Sequence, residues 1–318
     1  MISLGIVGLP NVGKTEFFNY ITKSEIEALR EPFSTIKPNI KKIFFQDKRL
    51  VKFNDKLPVK INSNIGCTFI DTPSLVLGSS KGEGLGNQFL GYLKDCDVLL
   101  IVLKCVNSKG SQTEILGLVE ELRQFDLNKI TQEYREISRG ESFCSVSDSK
   151  KVRKRMAFLK KGIEYLDNKI SLDKEDSEII NKELNLLCKK LLLSVLVNAD
   201  ISETNKSFCF KSTDWEDDTV IEKLYSFIST NVLLKTFYVV TDCEISPYIF
   251  SNNLSLSEAA AMVHVDFEKI LKEVNCTRIE KLSRQRDDRK INFDEVLVEM
   301  FEKRIVKDGD VYEFILKH

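Results

Sequence analysis

Gly8-Leu9-Pro10-Asn11-Val12-Gly13-Lys14-Thr15 is a complete G-x-x-x-x-G-K-[ST] phosphate-binding loop, and it follows directly on the apolar run Ile2 to Val7. The pattern is chemically strict. Backbone N–H groups must turn inward around a phosphate, and glycines at positions 8 and 13 allow the backbone angles and close approach that this needs. Lys14 supplies a point charge to the β/γ oxygens, and the Thr15 hydroxyl suits Mg²⁺. The segment Asn11, Val12, Gly13, Lys14, Thr15 and Glu16 is the expected phosphate-contacting set. A helix opening there, with Phe17, Phe18 and Ile21 on one face, points its positive end at the phosphates.

Three apolar runs end in polar residues that nucleotide chemistry uses. Ile2 to Val7 ends at Gly8, Cys67 to Ile70 at Asp71, and Leu191 to Val197 at Asn198. Val98 to Leu103 reads as a fourth, fully buried strand. Ligands of open α/β sheets bind outside the carboxyl ends of parallel strands, so the loop, Asp71 and Asn198 are expected on one edge. The expected fold class is α/β, a P-loop NTPase with a mostly parallel sheet and helices on both faces. Asp71 is placed to hold Mg²⁺ through water. The proline-bracketed loop Pro32 to Pro38 offers Thr35 to the same metal when a γ-phosphate is present, as a switch would; an ordinary surface turn is the plainer alternative. Lys14 and Thr35 are the expected catalytic groups, and Thr15, Thr35 and Asp71 the metal set. Lys81 to Asn87, with three glycines, suits a second mobile switch.

Between the fourth run and Leu191 the pattern turns helical. Ile115, Leu118, Val119 and Leu122 form one stripe and Leu159, Ile163, Leu166 and Ile170 another, separated by Ser138 to Ser149. Two antiparallel helices fit. The second opens with Lys150, Lys151, Arg153, Lys154, Arg155, then Lys160 and Lys161, either a solvated face or an RNA-facing arm. Val220 to Ile228 reads as a helix, Thr236 to Val240 as a strand, Leu256 to Val263 and Phe267 to Val274 as helices. Val311 to Leu316 alternates like a strand after the turn Lys307-Asp308-Gly309-Asp310. The chain therefore divides into a nucleotide domain at 1–110 and 191–232, a helical insertion at 111–190 and an α+β unit at 233–318.

Composition bounds the rest. The 318 residues suffice for two or three domains. Lys+Arg 47 against Asp+Glu 48 gives a net charge of −1, so no global field draws the chain to DNA or to an anionic membrane. Eight cysteines stand singly, without C-x-x-C pairs, and read as reduced core residues. Met1 leaves no room for a leader before the first strand, and no apolar run approaches the about 20 residues of a membrane span. A cytoplasmic protein is expected, or one inside an organelle if the N-terminus was trimmed.

GLPNVGKT, then PFSTIKPN at 32–39, then DTPSLVLGSSKGEGLGNQFL at 71–90 resemble the Obg-like ATPase family, also called YchF. HVDFEK around His264 and RIVKDGDVYEFIL, ending at Leu316, are similar to that family's closing TGS domain, a small β-grasp unit. The resemblance implies an Obg-type member of the Ras-like class, an ATPase on a GTPase fold, associated with ribosomes and stress responses. Its ribosome or rRNA contacts would come from the helical arm and the C-terminal domain. The family's base-reading pattern is Asn-x-x-Glu. Here Asn198-Ala199-Asp200-Ile201 keeps the Asn and loses the final acid, which leaves ATP or GTP open; by carry-over Asn198 reaches the adenine edge with its side chain and Ala199 with its backbone.

Leu75 stands where Ras-like proteins place the water-orienting glutamine. The family is thought to use instead a histidine on a loop after the fourth strand; here Val106 to Gly110 is short and has none. Ser74 replaces the usual glycine beside the γ-phosphate. Losing such groups costs several powers of ten in phosphoryl transfer, so a weak ATPase and a competent switch are expected. A non-catalytic ATP-dependent binding module and an Obg-type GTPase are the alternatives. Arg284, Arg286, Arg289 and Lys290 form a local basic cluster near the C-terminus.

Overall fold

The computed structural model describes residues 2–26, 38–53, 56–74, 91–104, 108–140, 146–197, 207–210, 219–251, 253–282, 291–297 and 304–316. It divides into two compact units, one comprising Ser3–Lys41 and Phe69–Glu216, the other Met1–Ile2, Lys42–Thr68 and Asp217–His318.

The strands the apolar runs announce share one sheet. β1 (Ile2–Val7), β4 (Asn64–Asp71), β5 (Val98–Lys104) and β6 (Leu191–Val197) belong to a six-stranded sheet ordered β2-β4-β1-β5-β6-β7, where β2 is Asn39–Gln46 and β7 Ser207–Phe210. β5 lies parallel to β1 and to β6, and β6 parallel to β7. Six successive residues of β5, Val98 to Leu103, are buried, as a central parallel strand requires. Leu99, Ile101 and Leu103 point to one face and meet Leu118, Leu122 and Phe125 of the helix α3 (Ser108–Gly140).

α3 runs unbroken for 33 residues. Its distal part packs Ile130, Tyr134 and Ile137 against Leu159 and Ile163 of α4 (Val146–Leu166), giving the expected helix pair. The separating segment is shorter than read from the sequence, because 138–140 and 146–149 are helical. A third helix, α5 (Lys174–Leu184), closes the arm with Ile180 and Leu184 and is capped by Asp173. The basic run on α4 is partly engaged within the arm: Arg155 pairs with Glu133 at 2.8 Å and Lys161 with Asp176 at 2.6 Å. Lys150, Lys151, Lys154 and Lys160 are exposed.

The second unit carries a mixed sheet ordered β11-β10-β12-β8-β9-β3, with β3 Lys60–Ile61, β8 Lys235–Val240, β9 Glu244–Phe250, β10 Leu271–Arg278, β11 Glu295–Leu297 and β12 Asp310–Leu316. The two central strands β12 and β8 are parallel. One face is covered by α7 (Leu256–Val263), whose Ser255 and Glu258 form a reciprocal capping box. On the other face, Tyr238, Val240, Ile245 and Val311 pack with Leu50 of α2 (Lys48–Val51) and with Leu57. The Tyr238 hydroxyl donates to the buried Asp47 carboxylate at 2.7 Å. α6 (Thr219–Asn231) is the helix expected near 220–228. Gly309 has φ +82°, which the turn before β12 demands.

One assignment is corrected. Phe267 to Val274 was expected to be a helix, but only α8 (Phe267–Ile270) is helical, and Leu271 begins β10. A register shift between Leu271 and Glu273 puts an extra residue into the strand. Leu271 and Val274 are both buried at a spacing of three, so the irregularity imitates a helical period. Among the described residues no helix is long and apolar enough to cross a membrane, and Cys67, Cys96, Cys188, Cys243 and Cys276 are free thiols.

The sheet core sets the stability of the first unit. Leu99→Ala deletes a fully buried side chain between sheet and α3 and is expected to cost about 2–5 kcal/mol, read as a lower urea midpoint with an unchanged slope.

Candidate functional site

The loop is shaped by backbone angles that its residue types permit. Asn11 has φ +61° and Gly13 φ +97°, both in the left-handed region that Gly and Asn tolerate best. A Cβ on Gly8 would stand 2.6 Å from the Val102 carbonyl of β5, so only glycine fits that approach. Gly13 precedes α1 (Lys14–Thr22), and its carbonyl accepts the first helical hydrogen bond, from Phe17 N at 2.9 Å. Phe17, Phe18 and Ile21 are buried as expected and fix the helix against the sheet.

Lys14 is 6 % exposed. Its Nζ donates to the Leu9 carbonyl at 2.9 Å and to Ser74 Oγ at 2.7 Å. Burial lowers its pKa to about 8, and the nearby Asp71 carboxylate opposes that shift. Asp71, at the end of β4, is 1 % exposed. Its Oδ2 accepts from the Thr15 hydroxyl at 3.1 Å and from the Asn39 amide at 3.5 Å. Burial raises its pKa, against the hydrogen bonds from Thr15 and Asn39 and the charge of Lys14. The other oxygen, Oδ1, is buried with no hydrogen-bond partner among the described residues.

That orphan oxygen is informative. A buried carboxylate oxygen left unpaired costs about 1–3 kcal/mol or more, and here it belongs to the residue that also holds the Thr15 hydroxyl. One carboxylate and one hydroxyl beside a phosphate loop are a hard-oxygen donor set of the kind Mg²⁺ takes, completed by substrate phosphate and water. No cluster of three or more His, Cys, Asp or Glu occurs among the described residues, and an Mg²⁺ site of this type does not need one. The residues present therefore fit the metal.

The loop and Asp71 converge as the sequence predicts. β6 joins them: the Val197 side chain lies 3.4 Å from where a Cβ on Gly13 would be, so the strand that leads to Asn198 ends against the loop. Asn11 and Glu16 are exposed at the mouth, and Val12 is buried. Thr35, Asn198 and Ala199 lie outside the described residues, as do Leu75, Gly82 to Gly86 and the Arg284 to Lys290 cluster. The loop expected at Val106 to Gly110 is shorter, since α3 already starts at Ser108.

Two site residues were not assigned these roles from sequence. Asn39 closes the PFSTIKPN stretch and opens β2, where it reaches Asp71. Ser74 was read only as a lost glycine, whereas its hydroxyl engages Lys14. Its place three residues beyond Asp71 was the available signal.

Comparison with known proteins adds the following. The model described as a 50S ribosome-binding GTPase matches residues 3–137. The model of the YchF GTPase C-terminal domain, described as a protein of unknown function, matches residues 234–317. The "Ribosome-binding ATPase YchF" of Buchnera aphidicola (Acyrthosiphon pisum) is 29 % identical over 83 % of this chain and 85 % of its own length. That of Mycoplasma pneumoniae is 33 % identical over 65 % of this chain and 59 % of its own. The structure of the Schizosaccharomyces pombe YchF GTPase superposes with a TM-score of 0.64 at 19 % identity, covering 99 % of this chain and 97 % of that one. A phosphate loop with its carboxylate at the head of the chain and a YchF-type C-terminal domain behind it place this chain in the YchF family of P-loop GTPase-fold proteins.

Proposed function

We propose that the chain is an Mg²⁺-dependent, ATP-binding switch that hydrolyses its nucleotide slowly and works with the ribosome in translation or stress response. The observation that carries this reading is the pairing of a buried Lys14 with an Asp71 whose Oδ1 has no partner among the described residues. Each group is poised for an opposite charge, phosphate for one and metal for the other. Mg²⁺ supplies charge neutralisation at the phosphates when bound. Lys14 holds the β/γ oxygens, Thr15 and Asp71 orient the metal's ligands, and the N–H groups at the start of α1 face the phosphate.

Asn198 and Ala199 are the proposed base-reading residues, and Thr35 the group that senses the γ-phosphate. The names of the relatives, ribosome-binding ATPases, support both ATP and the ribosome as partners. The helical insertion at 111–190 and a TGS-like β-grasp unit at 233–318 are the proposed ribosome- or rRNA-facing parts, with the nucleotide domain at 1–110 and 191–232. A ribosome partner puts the protein's work in the cytoplasm. The lack of a histidine in Val106 to Gly110 favours a second reading, a binding module that keeps its ATP intact.

Calorimetry with Mg²⁺ present tests the site: ATP binds, and Lys14→Ala abolishes uptake. A tenfold or greater preference for GTP in competition defeats the adenine reading. Single-turnover assays should give hydrolysis at or below roughly 10⁻³ s⁻¹; ATP retained intact for hours moves the chain to the binding-module class. Raising pH through about 8 neutralises Lys14 in the free protein, so affinity is expected to fall about tenfold between pH 7 and pH 9. A flat profile would show that the ammonium contributes nothing. Ribosome co-sedimentation should rise with ATP and weaken with salt.

A further inference from the structure

Lys14 has three N–H donors and no acceptor. In the structure one serves the Leu9 carbonyl at 2.9 Å and another serves Ser74 Oγ at 2.7 Å. The two oxygens differ in kind. Leu9 O belongs to the loop backbone and stays with it, whereas Ser74 Oγ sits on a side chain that can rotate away. Ser74 also comes from a different element, three residues past the end of β4. A buried ammonium requires acceptors; these contacts occupy two of its three donors and, among the described residues, leave the third open.

Counting donors gives the consequence. A phosphate-loop lysine reaches both the β and the γ oxygens of a triphosphate. With Leu9 O retained, a diphosphate needs one further donor, and one is available beyond that given to Ser74. A triphosphate needs two, and then the Ser74 bond must break. We propose that the Ser74 hydroxyl is a latch on Lys14 that discriminates by phosphate number: triphosphate binds in competition with it, diphosphate does not. Ser74 acts through Lys14 and is thus a positioning residue. The inference rests on the nucleotide site proposed above and adds a selectivity that the phosphate loop alone does not supply. A glycine at position 74 has no such oxygen to offer.

The test compares Mg-ADP with the Mg complex of a slowly hydrolysed ATP analogue, by calorimetry at pH 7, in the full chain. Ser74→Ala is expected to tighten the triphosphate analogue roughly threefold to tenfold, the scale of one net hydrogen bond, and to leave ADP within about twofold. Ser74→Gly should do the same and Ser74→Thr, which keeps the hydroxyl, should match the parent. Loosening of the segment would weaken both nucleotides, whereas loss of the latch tightens the triphosphate analogue alone. The latch is overturned if Ser74→Ala weakens the analogue, tightens both nucleotides equally or changes neither. If the parent binds neither nucleotide, the site reading falls and the latch with it. If the parent binds, Lys14→Ala does not and Ser74→Ala behaves as the parent, the latch alone is lost.

Discussion

A lysine ammonium taken almost wholly out of water is the constraint around which the first unit is arranged. Unpaired, such a charge costs several kcal/mol, so the chain must bring oxygens to it from more than one element. Leu9 O arrives from the loop, Ser74 Oγ from beyond β4, and the Asp71 carboxylate lends its field from the end of β4. Each of these oxygens is held in place by the sheet. The loop depends on Gly8 pressing against the Val102 carbonyl of β5, and Asp71 stays in place only while β4 keeps its register. The site is thus a product of strand order as much as of the eight loop residues.

Much of this was legible in the sequence because the decisive signals are local. The loop pattern, the apolar runs at β1, β4, β5 and β6, and the carboxylate ending β4 need no tertiary information to read. The helix pair of the arm and the stripe on α7 follow from periodicity alone. What escaped was set by context. β10 looks helical because an irregular register spaces its buried residues by three. α5 is short and polar on most of its surface, with only Ile180 and Leu184 buried. β2 shows a single buried residue, Phe45, and carries no alternating pattern to announce a strand. Ser74 illustrates the same limit at the site: the sequence reveals which residue replaces glycine, but only the fold reveals that its oxygen lies against a lysine sixty residues away.

The second unit solves a different problem, covering both faces of one sheet with little helix. α7 closes one side through small residues, Ala259 and Ala260, which let it approach Phe237 and Tyr312 closely. The other side is sealed by Leu50, Leu57, Ile279 and Leu282 from short segments distant in sequence. Two tyrosines carry hydroxyls into these cores, and each finds a carboxylate: Tyr238 on Asp47 and Tyr312 on Asp310, both at 2.7 Å. The first ties β8 to a residue 191 positions away, so displacing that strand would leave a buried oxygen unpaired, whereas the second is made within β12 itself.

The unbroken course of α3 has a mechanical meaning. The same helix that rests on the sheet through Leu118, Leu122 and Phe125 carries Ile130, Tyr134 and Ile137 into the arm. From Phe125 to Ile137 it extends about 18 Å with neither proline nor glycine to bend it. A tilt of about 10° at the base therefore becomes a swing of about 3 Å at Ile137 by lever geometry. The arm continues the helix that rests on the sheet, so a change at its pivot is magnified at its far end.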